Sequence, residues 1–301
     1  MPDINAQQVL LPPTVFASMI GVGVELQWQQ FRAIARTPRI PLLGTLIHTC
    51  VFPALAVSLV SLVVLLKLPL SEPLLAGILL IAACPSGGFS NILVLVARAD
   101  LVLSVVLTTV SSLLSFFTVP LFVTLFGYLL PAIAGTVSVP IGETLMQLLV
   151  LVVLPVGAGM LWRHRFPDFV IPRIGSIQKW TQVALYAAIL SVLYQQSDTV
   201  LPAIPATLPW ALGLCVAALA TGFLVSRVVG LSSTDAATIA IEGSIRNLAV
   251  AFLVAVNVLN RVDIAVLPTV YFGAVLIVGL GFAHLWRRRG SPRIDPTPNT
   301  S

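Results

Sequence analysis

The chain has 301 residues, of which 58% are hydrophobic and only 9% charged, with a net charge of +5 and a mean hydropathy of +1.03. Those values lie far from the averages of soluble proteins and exclude an ordinary water-soluble domain. A positive balance can serve nucleic acid, but here the basic residues fall in short loops between apolar runs, a pattern that membrane orientation explains and that leaves no nucleic-acid partner expected.

A bilayer crossing takes roughly 20 apolar residues, and the apolar runs predict about nine helices, at 8–27, 40–66, 72–97, 101–130, 141–162, 176–196, 207–229, 233–257 and 263–287. Residues 1–8 carry neither a basic leader nor a cleavage site, so no removable signal peptide is expected. The tail after Arg287, rich in Pro, Ser and Thr, is expected to lack structure. Cys50, Cys84 and Cys215 lie in apolar stretches without metal-ligand spacing and read as small buried residues.

Basic residues orient the chain. Arg32, Arg36 and Arg39, then Arg98, then Arg163, Arg165, Arg173 and Lys179, then Arg227, then Arg287, Arg288, Arg289 and Arg293 fall on one side. The opposite loops hold Lys67 and Arg261, and Arg246 lies within a helix. This asymmetry predicts an inner (plasma) membrane protein with its N-terminus outside and its C-terminus in the cytoplasm.

Two helices are interrupted. Residues 81–91 (IAACPSGGFSN) place a proline, a serine and two glycines inside an apolar segment, and residues 241–247 (IEGSIRN) do the corresponding thing in the second half. Irregular backbone at membrane depth is tolerated only against protein or a watery cavity, and its freed carbonyls and amides are ligands for ions and small solutes. The first four helices and the last four share one layout, and the extra span at 141–162 makes the second set start from the opposite side. The expected fold class is therefore an all-α integral membrane protein, one domain over residues 1–301. Its halves, at about 8–130 and 176–287, form an inverted repeat with two crossed broken helices, followed by a cytoplasmic tail at 288–301.

The run CPSGGFSN (84–91), followed by RADLVLSVVLTTVSSLLS (98–115), resembles the CPGG-x-x-SN…G-[DN]-x-x-LS-x-x-x-T signature of the bile acid:sodium symporter family. DAATIAIEGSIRN (235–247) is similar to that family's D-x-x-T-[IL]-x-[IL]-E-x-x-x-QN. Weaker agreement lies in MIGVGVEL (19–26) and before Pro53. The resemblance implies a panel domain and a core domain, and carriage of an organic anion together with sodium, which is transported rather than held as a prosthetic group. It implies a sodium site at Ser90, Asn91, Ser104, Thr108 and Glu242, oxygen ligands suited to a hard cation. It implies substrate contact at Asn247. A second sodium site is altered, since the family's two glutamines correspond to His48 and Arg246, and a guanidinium donates but cannot ligate a cation.

Each of these residues also has a plainer reading. Glu242, an ionisable group at membrane depth, is functional by default, the alternative being a structural pair with Arg246. Arg246 has three readings: a built-in positive charge at the vacated second cation position, a clamp for a substrate carboxylate or sulfonate, or that same pair. His48 reads as a neutral hydrogen-bond partner or as a proton-coupling group. Ser90, Asn91, Ser104 and Thr108 gain meaning only jointly, since hydroxyls commonly join membrane helices.

The expected function is alternating-access import of an organic anion, bile-acid-like or a small carboxylate, with sodium and the lipid bilayer as the other partners. The alternatives are a sodium-independent or proton-coupled carrier and a membrane sensor that binds without transporting. An intramembrane hydrolase using Ser86 or Ser90 with His48 is disfavoured, because no nucleophile elbow or ordered triad is present. No enzyme activity is expected.

Overall fold

The computed structural model describes residues 6–26, 39–129 and 141–290. Arg32 and Arg36 of the orientation pattern, and tail residues 291–301, lie outside the described residues. Helix lies along every range that hydropathy predicts. We label the helices α1 (Ala6–Glu25), α2 (Arg39–Leu65), α3 (Glu72–Ala83), α4 (Phe89–Ala97), α5 (Leu101–Leu129) and α6 (141–165). The rest are α7 (Ile174–Gln195), α8 (Ser197–Val228), α9 (Ser233–Ser244), α10 (Leu248–Val258) and α11 (Val266–Gly290). Among the described residues five helices are long and apolar enough to cross a membrane, within α2, α5, α6, α8 and the segment Val262–Arg288.

Three details differ from expectation. Cys50 is exposed rather than buried. Residues 197–206 were expected to link the spans at 176–196 and 207–229, yet α8 runs through them and through Pro202, Pro205 and Pro209. Their spacing of three and four puts the rings on one exposed stripe, where they meet no packed neighbour. At the C-terminus α11 continues to Gly290, so the helix takes in the first residues of the expected tail.

The helices form two groups. In the first, α1 packs between α6 and α7. Its closest approach is glycine against glycine: a Cβ on Gly23 would lie 2.2 Å from the Val156 carbonyl oxygen, and one on Gly159 would lie 2.5 Å from that of Ile20. The C-terminal carbonyls of α1 are capped from α6, where Arg163 donates to Val24 and Glu25 at 2.8 Å each.

The second group is built on the broken pairs α3–α4 and α9–α10. By rise per residue α3 is about 18 Å long and α4 about 13 Å, so neither reaches across a bilayer alone. Leu74 through Cys84 and Ala236 through Asn247 are buried without interruption, which places α3 and α9 at the centre of the molecule. The two pairs run antiparallel and meet at three levels. Glu72, where α3 begins, faces Arg261 just after α10, at 3.4 Å. The backbone N–H of Asp100, after α4, donates to Thr238 of α9 at 3.0 Å. Between those levels, the two breaks pair with each other.

Candidate functional site

Pro85 accounts for the first break. It pushes the residue before it into an extended conformation, and Cys84 has φ −68° and ψ 148°. The second break, without a proline, is extended at Ile245 (ψ 116°) and Asn247 (ψ 101°). The extended segments pair antiparallel around Ser86 and Arg246. Gly87 N–H donates to the Ile245 carbonyl at 3.2 Å and Asn247 N–H to the Pro85 carbonyl at 2.9 Å. A side chain at Gly87 would crowd this pairing, since its Cβ would stand 3.1 Å from the Arg246 carbonyl oxygen. The remaining backbone groups are satisfied locally. Asn247 caps α10 by accepting from the Val250 N–H at 3.3 Å, and Tyr271 of α11, fully buried, donates to the Ser244 carbonyl at 2.6 Å.

This pairing brings together the oxygen-bearing residues expected at the cation site. Ser90, Ser104 and Glu242 are fully buried and Thr108 is 3% exposed. Ser104 Oγ donates to Glu242 Oε1 and lies 2.8 Å from Asn91 Oδ1. Thr108 Oγ1 lies 3.2 Å and 3.0 Å from the two Glu242 oxygens and 3.3 Å from Ser90 Oγ. Ser104 and Thr108, four apart on α5, present one face to the carboxylate.

Ser86 joins this cluster and was not expected in it. Its Oγ lies 2.5 Å from Glu242 Oε2 and 3.1 Å from the Glu242 carbonyl oxygen. The available signal was that Ser86 stands where the CPGG motif has its first glycine. Each hydroxyl has one proton, so Ser104 cannot donate to both Asn91 and Glu242, and Ser86 cannot donate to both Glu242 oxygens. The cluster thus gathers several acceptor oxygens around one carboxylate, while the Asn91 Nδ2 group has no hydrogen-bond partner among the described residues.

Among the described residues no ion pair reaches Glu242, so the structural pair with Arg246 does not form. Arg246 is 4% exposed and donates instead to main-chain carbonyls, from Nη1 to Cys84 at 3.0 Å and from Nη2 to His48 at 2.9 Å. Its guanidinium carbon sits 4.5 Å above the centre of the Phe52 ring. Sequence reasoning missed Phe52 and Tyr271, whose rings lie 6.3 Å apart.

His48 is 2% exposed, and neither ring nitrogen has a hydrogen-bond partner among the described residues; its carbonyl, not its imidazole, joins the network. The neutral hydrogen-bond partner expected of this ring is thus absent there. Ser86 Oγ and Ser90 Oγ bond to Glu242 and Thr108 rather than to His48, so no nucleophile–base pair is assembled from them.

Beside the crossing, a small cleft lies between the two helix groups. Val22, Gln182 and Tyr186 form one wall, and Gly87, Arg246 and Asn247 stand on the other. The N-terminus of α4, a helix of nine residues beginning at Phe89, opens onto it.

Residues 12–203 match the model of the Sodium Bile acid symporter family. The chain is 30% identical over 280 residues to a probable chloroplastic sodium/metabolite cotransporter of Oryza sativa subsp. japonica, an alignment covering 92% of this chain and 64% of that protein. It is 33% identical over 177 residues to the ileal sodium/bile acid cotransporter of Homo sapiens, covering 56% and 48%. An uncharacterized sodium-dependent transporter of Bacillus subtilis is 25% identical over 190 residues, covering 62% and 56%. The chain thus spans about half to just under two thirds of the length of these relatives. With the family model matched over more than half of the chain and one relative aligned along nearly all of it, this multi-pass membrane protein belongs to the sodium bile acid symporter family.

Proposed function

We propose that the chain is a secondary active transporter that imports a small organic anion together with sodium. One observation carries this: a buried carboxylate with no ion-pair partner among the described residues, ringed by Ser86, Ser90, Asn91, Ser104 and Thr108 where two broken helices cross. Hydroxyl, amide and carboxylate oxygens are hard ligands, and broken helices in transporters hold coupling ions at such crossings. Sodium at Ser90, Asn91, Ser104, Thr108 and Glu242, with Ser86 added, neutralises Glu242.

The anion belongs in the cleft beside this site. Gly87 and Gly88 bring the backbone close, the α4 N-terminus favours negative charge, and Asn247 lines the same wall. Alternating access is then a movement of the α1–α6–α7 group against the crossed helices, with the cleft as the seam between them. The three antiparallel contacts between α3–α4 and α9–α10 support the inverted halves, about 8–130 and 176–287. Nine crossings with the N-terminus outside and the C-terminus in the cytoplasm agree with the loop charges. Coupling follows if sodium binds one access state more tightly than the other. Against the proton-coupled reading stands the isolation of the His48 ring from Glu242.

The test is thermal unfolding of purified protein in sodium chloride against potassium and choline chloride. Sodium at about 100 times its dissociation constant is expected to add about 2.7 kcal/mol of stability, and equal curves in all three salts would overturn the proposal. Exchange of a labelled organic anion across proteoliposomes, absent for a sensor, separates carriage from mere binding. Within the same assay Ser86→Gly is expected to weaken sodium by about tenfold, the effect of losing roughly 1.4 kcal/mol of ligation. A sodium titration unchanged in that variant would remove Ser86 from the site.

A further inference from the structure

We infer that Arg246 is a cation built into the transporter. Its guanidinium fills a carbonyl-lined cation position beside the Glu242 cluster, so that a single sodium ion remains to travel with each solute. The inference rests on the proposed sodium-coupled function and deepens it, by fixing how many ions the crossing takes.

The position is defined by oxygens that have been freed from helix bonding. In α2, residues Ile47–Val51 form a π turn, whose hydrogen bonds run from N–H to the carbonyl five residues back. The N–H that would serve His48 in that register belongs to residue 53, which is a proline and has none. At the first break α3 ends at Ala83, so the Cys84 carbonyl lies at the negative end of a half-helix. Two unsatisfied carbonyls from separate elements, one of them at a half-helix C-terminus, make the kind of site where broken-helix transporters coordinate ions. Arg246 Nη1 and Nη2 occupy it, at 3.0 Å and 2.9 Å. The Phe52 face covers the guanidinium at 4.5 Å, and the antiparallel pairing of Ser86 with Arg246 fixes the backbone that carries it.

A structural pair with Glu242 does not account for this geometry. A structural pair would place the guanidinium against Glu242, whose oxygens face Ser86, Ser104 and Thr108 instead. Two of the five guanidinium N–H donors are spent on the Cys84 and His48 carbonyls, which fixes the group at the carbonyl pair.

The charge consequence is direct. Arg246 and Glu242 cancel before any ion enters, so one sodium gives the crossing a net positive charge that one monovalent anion balances. The probe for the test is sodium alone: binding of radioactive sodium to the purified full chain, with choline holding ionic strength constant. Wild type is expected to saturate with a single ion per chain, without cooperativity. Arg246→Gln, and Arg246→Met as a second variant of similar volume, are expected to bind about twofold more sodium at saturation. Wild type that already binds two ions overturns the inference without any variant, as does failure of both folded variants to gain sodium. A wild type that binds none while the variants bind one would defeat the proposed function and uphold the displaced-cation role of Arg246.

Discussion

Glu242→Gln is expected to remove most of the sodium-specific stabilisation. The substitution keeps the shape of the side chain and an oxygen facing Ser104 and Thr108, but it deletes a charge that no arginine or lysine contacts among the described residues. An ion site that loses its single anionic ligand loses most of its attraction, here expected as a drop in sodium affinity on the order of 100-fold, or about 2.8 kcal/mol. The sodium-specific stabilisation should fall from about 2.7 to about 0.4 kcal/mol, while stability in choline is unchanged or higher, because a buried carboxylate without a contacting counter-ion is costly. Sodium-specific stabilisation of undiminished size in this variant would take Glu242 out of the cation site.

The second large effect is structural. Gly23→Ala is expected to destabilise the protein by at least about 3 kcal/mol, because its Cβ would fall 2.2 Å from the Val156 carbonyl oxygen and cannot be accommodated by turning a side chain. Backbone must move against backbone, separating α1 from α6 and loosening the cap that Arg163 forms on Val24 and Glu25. Gly157→Ala, in the same helix as Val156 but with open space around its Cβ, is the control. It should be neutral or slightly stabilising. Thermal unfolding of the three proteins in one detergent checks this, and equal midpoints for Gly23→Ala and wild type would dismiss the close approach.

The sequence carried much of this site because its signals are covalent. Pro85 and the Gly87–Gly88 pair announce a break, and the resemblance to the family's motifs marks Ser90, Asn91, Ser104, Thr108 and Glu242, the oxygens that the structure gathers. Ser86 escaped because one serine among glycines reads as a turn residue. Phe52 and Tyr271 escaped for a different reason: an aromatic side chain in an apolar helix has the same appearance whether it faces lipid, core or a guanidinium. The partners of Arg246 were illegible in principle, since a main-chain carbonyl has no residue type. Residues 197–206 misled in the opposite direction: they lie between two apolar runs, yet the helix continues through Pro202 and Pro205, which stand on its exposed side.

The widened turn of α2 sets how this chain can change in length. A single-residue deletion at 49, 50 or 51 would convert it to ordinary helix. One turn of π helix holds about one residue more than one turn of α-helix, so Phe52 would stay over the guanidinium and the carbonyl four residues before the proline would still be that of His48. One residue can therefore be lost here without turning the rest of the helix, whereas a deletion in ordinary helix turns every following side chain by about 100°.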